Sequence, residues 1–362
     1  PTFFSIAALL IMQDFEVNTI STQLLILSLI WILSDVLAHL FYKHPRPLNM
    51  IIRGIGGLIA LSNYGFLFSE SDLTATFGFL IYALLWLTVS LLYKNPTLFY
   101  AFTLTVPIFV IFLFRNFGFT KWIHPVILIA LVYYAIGFAL RSLNRFKGWD
   151  STLLYSGLGL GVFVSIASPL IGGVDAAIPV AVAATLWAVE AFSKKNAWLA
   201  FPANGLYLMS YFILLNELNV QEIQFFSIGA ALIGLIQHYL LTRSNSKSGA
   251  FVMGMLSQLV LLGTTYLEMI NKNELSYFFL LFLQSLAVLI YGLVIRSRSL
   301  TFFPIGFVIL GVITVVYSAL KDVGAIFLIG CTGILLLGLG ILAVLLRERI
   351  AKLGEKLSDW EA

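Results

Sequence analysis

The chain has 362 residues, of which 60% are hydrophobic and 10% charged, and its formal net charge is +4. A water-soluble domain is about 45–50% apolar and about 25% charged, so a mean hydropathy of +0.99 excludes that class. The apolar runs are about 18–22 residues long, which is the length of transmembrane helices, whereas strands of a membrane barrel would alternate over about 10 residues. The sequence therefore predicts an all-α integral membrane protein.

The predicted spans start with a partial helix over about residues 1–12, which is too short to cross a bilayer. Because the chain begins with Pro1 and not with Met, we expect it to be a piece of a longer protein. About thirteen full spans follow, at about 20–42, 50–69, 73–93, 96–114, 123–141, 151–170, 175–193, 197–216, 222–242, 249–270, 275–295, 300–320 and 324–346. Together they form a single polytopic transmembrane domain over residues 1–346.

The connection at Lys94 illustrates the predicted turns between spans. Lys94 and Asn95 separate two apolar runs, which predicts a tight turn between two antiparallel helices. We place Pro96 in the first turn of the next helix, where its missing N–H would have no partner in any case.

The connections between spans fall into a basic set and a mostly acidic set. The basic connections centre near residues 45, 94, 144, 194, 245, 297 and 348, and they hold most of the 21 Lys and Arg residues. Positive charge marks the cytoplasmic side of a membrane protein, so we expect these connections and the C-terminus to face the cytoplasm. The positive net charge then reports topology and does not indicate nucleic-acid binding.

The basic connections recur about every 50 residues, which is the length of two spans with their loops. The sequence thus predicts roughly seven antiparallel helical hairpins of about 50 residues each. Two explanations stay open: duplication of one hairpin, or a chain of uniform hairpins that do not share an ancestor.

Glycine-rich stretches have two possible meanings. The stretch Gly157-Leu-Gly159-Leu-Gly161 is similar to a nucleotide-binding fingerprint, but that fingerprint requires a preceding strand, and this stretch lies inside a span. Gly157 and Gly161, like Ala230 and Gly234, have the spacing that lets two membrane helices approach closely. We therefore expect helix packing and not nucleotide binding.

The tail over residues 347–362 predicts an amphipathic helix on the cytoplasmic membrane surface. Its apolar side chains share one helical face, and the Lys, Arg and Glu side chains lie opposite. The alternative is a frayed extension of the last span.

Ionisable residues inside the predicted spans are the main candidates for chemistry, because a charge deep in a membrane is costly. Asp35 and His39 are four positions apart and share one helix face. At a rise of about 1.5 Å per residue, Asp35 lies about 12 Å and Arg53 about 9 Å from the turn between their helices. This predicts an ion pair with His39 beside it. The group would serve as a proton or cation relay, or as an anchor for an anionic headgroup; alternatively it is a neutral pair that fixes the hairpin register.

Three further polar residues are weaker candidates. Glu190 lies one turn before Lys194, which predicts an i, i+4 ion pair near the membrane surface. Asn204 and Gln258 lie near the middle of their spans, where transporters gather polar groups. The sequence contains no metal-binding, phosphate-binding or nucleophile motif, so we expect no metal, no cofactor and no enzymatic activity.

The last roughly sixty residues contain the stretches RSRSLTFF, LLLGLGILAVLLRERI and EKLSDWEA. In these stretches the chain resembles the C-terminal part of large bacterial membrane proteins built from tandem helical hairpins. The resemblance implies a bacterial inner-membrane protein with a longer parent chain. It implies no activity and no residue role, because these proteins have no established activity.

Two functions fit the sequence. We expect a non-catalytic membrane scaffold or accessory subunit, whose hairpin array docks protein partners or membrane lipids within a larger complex. The alternative is a transporter or lipid flippase, which predicts a polar cavity near the middle of the membrane.

Overall fold

The computed structural model describes residues 5–8, 11–12, 19–41, 47–144, 146–272 and 274–320. Within these ranges the chain forms helices and turns and no strand. The twelve long helices are α1 (Ile20–Phe41), α2 (Pro47–Leu67), α3 (Asp72–Leu92), α4 (Phe99–Asn116), α5 (Ile123–Leu143), α6 (Trp149–Ile171), α7 (Val174–Lys194), α8 (Ala200–Glu217), α9 (Ile223–Arg243), α10 (Lys247–Lys272), α11 (Leu275–Ile295) and α12 (Arg298–Leu320). A 3₁₀ turn over Ala197–Leu199 directly precedes α8.

Each of the twelve helices coincides with one of the full spans predicted between residues 20 and 320. Each is long enough and apolar enough to cross a membrane. The all-α class is thereby confirmed for the described part of the chain. The predicted span at 324–346 and the predicted tail helix at 347–362 lie outside the described residues, as does half of the predicted segment at 1–12.

The turn at Lys94 differs from the prediction in one detail. Helix α4 begins at Phe99, so Pro96 lies before the helix and not in its first turn. The Asn95 side chain accepts a hydrogen bond from the Thr97 N–H at 3.0 Å, and the Phe99 N–H donates to the Pro96 carbonyl at 3.2 Å. These local bonds hold the segment in a tight turn before α4 starts.

The helices form two compact units, one up to Gly172 and one from Gly173. In the first unit α1 packs against α2, α3 against α4, and α5 against α6. In the second unit α7 packs against α8, α9 against α10, and α11 against α12. Each of these pairs is joined by one of the connections that the sequence predicts to be basic. The core of each unit is filled by large buried side chains, among them Phe79, Tyr82 and Phe112 in the first and Leu262, Leu281 and Leu300 in the second.

The turns between packed helices share one backbone conformation. Five of them contain a residue with a left-handed φ of 48° to 59°, and these residues are 50, 51, 50 and 51 positions apart: Lys94, Asn144, Lys195, Asn245 and Arg296. A side chain such as Lys or Arg is disfavoured in this conformation, so the turn must be held by hydrogen bonds. In four of the turns the following N–H donates to a helix carbonyl five positions back, the bond of a Schellman cap: Asn95 to Ser90, Asn196 to Ala191, Ser246 to Leu241 and Ser297 to Gly292.

Local geometry also recurs over a longer interval of 101 residues. Helices α3, α7 and α11 contain 21 residues each, and α4 and α8 contain 18 each. The left-handed residues Lys94, Lys195 and Arg296 are 101 positions apart, and so are Gly118 and Asn219 after α4 and α8. We call residues that are 101 positions apart equivalent positions.

The predicted glycine contacts lie where helices touch. A Cβ added to Gly157 would lie 2.7 Å from the Ala130 carbonyl oxygen on the neighbouring helix, whereas a Cβ on Gly159 would meet nothing within 4 Å. A Cβ on Gly234 would collide with the Ser257 hydroxyl. Gly157 and Gly234 therefore allow close approach of α6 to α5 and of α9 to α10.

Candidate functional site

Helices α1 and α2 place a carboxylate and a guanidinium side by side. Asp35 on α1 has 1% of its side chain exposed, and Arg53 Nε on α2 lies 2.8 Å from Asp35 Oδ2. This is the pairing that the depths of the two residues predict. The Arg53 side chain keeps 29% of its surface exposed, so the guanidinium is only partly desolvated while the carboxylate is fully buried.

Tyr93, the first residue after α3, adds a third helix to the site. Its hydroxyl donates a hydrogen bond to Asp35 Oδ2 at 2.7 Å, and Arg53 Cζ lies 3.9 Å from the centroid of its ring, which is a cation–π distance. Burial raises the pKa of Tyr93 to about 12, with the hydrogen bond to Asp35 as the second cause. The hydroxyl therefore stays protonated at neutral pH and remains a donor to the carboxylate.

Sequence reasoning missed Tyr93. The signal that could have found it is its position directly before Lys94, since this places Tyr93 at the basic end of its span, which is also the end toward which Asp35 and Arg53 lie in theirs. Nothing in the sequence shows which way its ring points.

His39 lies at the edge of this site. Its ring centroid is 4.3 Å from that of Tyr93, with the two rings tilted. Among the described residues no hydrogen bond or ion pair joins His39 to Asp35. His39 therefore lies beside the ion pair, as predicted, and the residue of the site that it contacts is Tyr93.

One oxygen of the site has no partner within the described residues. Asp35 Oδ1 is buried and accepts no hydrogen bond, whereas Oδ2 accepts from both Arg53 and Tyr93. A buried polar atom without a partner is unfavourable, so a further hydrogen-bond donor at Oδ1 would be stabilising. The site can fix α1, α2 and the end of α3 against one another.

Glu190 lies in a different place, on α7 in the second unit. It is buried, and its Oε1 lies 2.9 Å from Lys194 Nζ one turn later on the same helix. The lysine side chain is 40% exposed, so the pair is buried at its carboxylate and partly exposed at its ammonium group. This is the i, i+4 pair that the sequence predicts.

Asn204 on α8 contacts α9 through an amide. Its Nδ2 donates to Gln237 Oε1 at 2.6 Å, and Gln237 Nε2 donates to the Ala197 carbonyl at 2.9 Å. Asn204 also lines a cavity between α7, α8 and α9. Sequence reasoning missed Gln237, because the face of α9 on which it lies depends on how that helix is rotated.

Gln258 on α10 belongs to a separate buried cluster. Its Nε2 donates to the Gly254 carbonyl at 2.9 Å and to the Ser299 carbonyl at 3.1 Å. His238 Nε2 lies 3.2 Å from Ser297 Oγ, which in turn lies 3.2 Å from Ser299 Oγ. The partners of Gln258 therefore differ from those of Asn204, and these hydrogen bonds do not join the two midspan amides in one site.

A further polar cluster bridges α1, α2 and α3. The Tyr82 hydroxyl lies 2.9 Å from Ser28 Oγ and accepts a hydrogen bond from Asn63 Nδ2 at 3.0 Å. All three side chains are buried. Ser28 Oγ, Asn63 Nδ2 and the Tyr82 hydroxyl thus find partners away from water, whereas Asn63 Oδ1 has none within the described residues. Hydrogen bonds of this kind hold membrane helices together.

Within the described residues no group of three or more His, Cys, Asp or Glu side chains could hold a metal ion. Comparison of the chain with protein-family models, with curated proteins and with solved structures finds no match.

Proposed function

We propose that this chain is a multi-pass protein of a bacterial inner membrane, with its basic turns and its C-terminus in the cytoplasm. Helices of 18 to 26 residues at about 1.5 Å per residue match a hydrocarbon core about 30 Å thick. The charge separation between the two sets of connections supports the orientation, since Lys and Arg concentrate on the cytoplasmic side.

The helices form an array of helical hairpins in this proposal. Each basic turn within the described residues joins two helices that pack on each other, and five of these turns hold a left-handed residue 50 or 51 positions from the next. The recurrence at 101 residues supports duplication of a four-helix segment that contains two hairpins. Tandem units of this kind make contacts mainly with their neighbours.

The function that the geometry supports best is a non-catalytic scaffold or accessory subunit that docks protein partners or membrane lipids. One observation carries it: at most half of the residues in each membrane-length helix are buried within the chain. The remaining faces carry large exposed apolar side chains, among them Leu104, Leu170, Ile178, Phe279 and Val294. An apolar surface of this extent requires a cover of lipid or protein.

The buried polar side chains support the same function. Asp35, Tyr82, Asn204 and Gln258 each make hydrogen bonds to a neighbouring helix. They therefore serve helix association, and these hydrogen bonds do not join the four residues in one polar path as a transport site requires.

A transporter or lipid flippase remains the second candidate. The observation that favours it is the cavity that Asn204 lines, which has a volume of about 650 Å³. A transport pathway would need this cavity to open alternately to the two sides of the membrane.

Native mass spectrometry after gentle extraction from the natural membrane tests the proposed function. The scaffold predicts a stoichiometric protein partner, or several lipids retained together. A monomer that retains no partner, and that moves a lipid or solute across vesicle membranes at a rate that saturates, would replace the scaffold with the transporter.

A further inference from the structure

One cavity of the second unit has the chemistry of a binding site. It has a volume of about 650 Å³, within the range of about 300–1,000 Å³ that small-molecule pockets occupy. It lies between the end of α7, the following turn, the start of α8 and the end of α9. Its walls are formed by Ala188, Ala191, Phe192, Lys195, Asn196, Ala197, Ala200, Ala203, Asn204, Leu240, Arg243 and Ser244.

The charge of this cavity is positive. Lys195 and Arg243 both line it and are exposed, and none of its lining residues is acidic. Neither cation has an ion-pair partner among the described residues. Two unpaired cations in one cavity attract an anion, and a guanidinium can bind a phosphate with two hydrogen bonds.

The rest of the lining suits a hydrocarbon chain. Alanine, phenylalanine and leucine form more than half of the lining. Phe192 lines the cavity and is 86% exposed, and Trp198 in the adjoining 3₁₀ turn is 58% exposed. Aromatic side chains at helix ends mark the boundary between headgroups and hydrocarbon, so the cavity combines two cations with a mainly apolar lining near that boundary.

The equivalent place in the first unit carries larger side chains. At the positions equivalent to Ala200 and Ala203 it carries Phe99 and Phe102. Their rings lie 5.0 Å apart, and Phe99 is buried and also packs on Trp149 at 5.0 Å. The small side chains of the second unit therefore leave open a space that large side chains occupy in the first.

A cation also differs between the two units. Arg243 is equivalent to Ser142, with Arg141 one position earlier in the first unit, whereas Lys195 is equivalent to another lysine, Lys94. The second unit thus has both the open space and an arginine at a position that lines it, which favours a site for an anionic amphiphile.

We propose that this cavity binds an anionic phospholipid, with the phosphate at Lys195 and Arg243 and the upper part of an acyl chain against Ala200 and Ala203. The inference deepens the proposed function, on which it rests, by naming the lipid class and the place where the array docks it. A basic pocket between membrane helices is a recognised way to hold such headgroups.

The test is a lipid titration of the detergent-solubilised chain, followed by native mass spectrometry. The probes are a phospholipid with a glycerol phosphate headgroup and a zwitterionic lipid with the same acyl chains. We expect the anionic lipid to bind more tightly, by about fivefold for each cation near the headgroup. Equal affinity for both lipids would overturn the proposal, as would saturation of the site by inorganic phosphate without lipid.

Three variants locate the binding. Ala200→Phe with Ala203→Phe fills the cavity with the residues of the equivalent positions, and it should abolish the tight binding. Lys195→Asn with Arg243→Gln should remove the preference for the anionic lipid, because asparagine keeps the left-handed turn and both charges are lost. Lys94→Asn is the matched control at the equivalent turn of the first unit, and it should leave the affinity unchanged.

Two results would refute the lipid site. One is a filled variant that binds the anionic lipid as tightly as the wild type does, and the other is an equal loss of affinity in Lys94→Asn. Ala203→Phe alone takes the place of the double variant if the latter does not fold, as judged by its thermal unfolding in micelles. If a variant loses the lipid site but retains the natural partner, the proposed scaffold function still holds. If the wild type does not remain in the membrane fraction, the proposed scaffold function is wrong.

Discussion

Replacement of Arg53 by Gln tests the structural role of the buried ion pair. The change leaves the Asp35 carboxylate, with 1% of its side chain exposed, with Tyr93 as its one remaining donor. Removal of one partner of a buried ion pair costs about 3–5 kcal/mol in the free energy of unfolding. Because Arg53 itself is 29% exposed, the pair is partly solvated, and we expect the lower end, about 3 kcal/mol.

The opposite change, Asp35→Asn, should cost less. The amide oxygen can still accept the Tyr93 hydrogen bond, and the partly exposed Arg53 can turn toward water. We expect a loss of about 1 kcal/mol, comparable to that of an ordinary hydrogen bond. In the double variant the two changes should together cost less than their sum, because the buried charge that makes Arg53→Gln harmful is then absent.

The assay is reversible unfolding in mixed micelles with a rising fraction of denaturing detergent. Arg115→Gln is the matched control: Arg115 lies 3.0 Å from Asp72, but the two side chains are 50% and 31% exposed, so its loss should cost about 0–1 kcal/mol. If Arg53→Gln cost no more than Arg115→Gln, the account of a buried carboxylate that depends on Arg53 would be wrong.

The other predictions concern single contacts and use the same assay. Tyr93→Phe keeps the ring but removes the donor to Asp35, and it should cost about 1.5–3 kcal/mol, the value for a hydrogen bond to a charged group; no change would show that the 2.7 Å bond is not formed. Gly157→Ala should destabilise the chain by about 1–3 kcal/mol through overpacking, whereas Gly159→Ala on the open face should be neutral or slightly stabilising; equal effects would contradict the assigned helix contact. Tyr82→Phe leaves the buried Asn63 Nδ2 without its partner, whereas Ser28 Oγ keeps its bond to the Leu25 carbonyl; a loss of about 1–3 kcal/mol is expected, with an unchanged midpoint as the contrary result.

Hydropathy and charge predicted the positions of the described helices, because a run of about 20 apolar residues has few alternatives to a membrane-length helix. Depth along two joined helices likewise predicted that Asp35 and Arg53 would meet. Both predictions use properties that can be read directly from the sequence: the length of each apolar run, and the number of residues between a side chain and the turn.

Contacts that depend on helix rotation were not predictable in the same way. Tyr93 and Gln237 reach their partners because of the direction in which each helix face points, and no charge or spacing signals that direction. The left-handed Lys195 was also unexpected, since residue type alone favours Gly or Asn there. The cavity was not predicted for another reason. Alanines such as Ala200 are ordinary small residues in the sequence, and only comparison with the equivalent Phe99 shows that a larger side chain can fill the space.

The most direct test of the account is a map of which connections lie on which side of the membrane. In a Cys331→Ser background, which removes the one cysteine of the chain, single cysteines are placed at Asn95 and Ser244 in basic turns and at Thr120 and Gln221 in the opposite turns. An impermeant thiol reagent added to intact cells should label the second pair only, and it should label the first pair after the cells are opened. Labelling of both pairs from the same side would contradict the proposed membrane array.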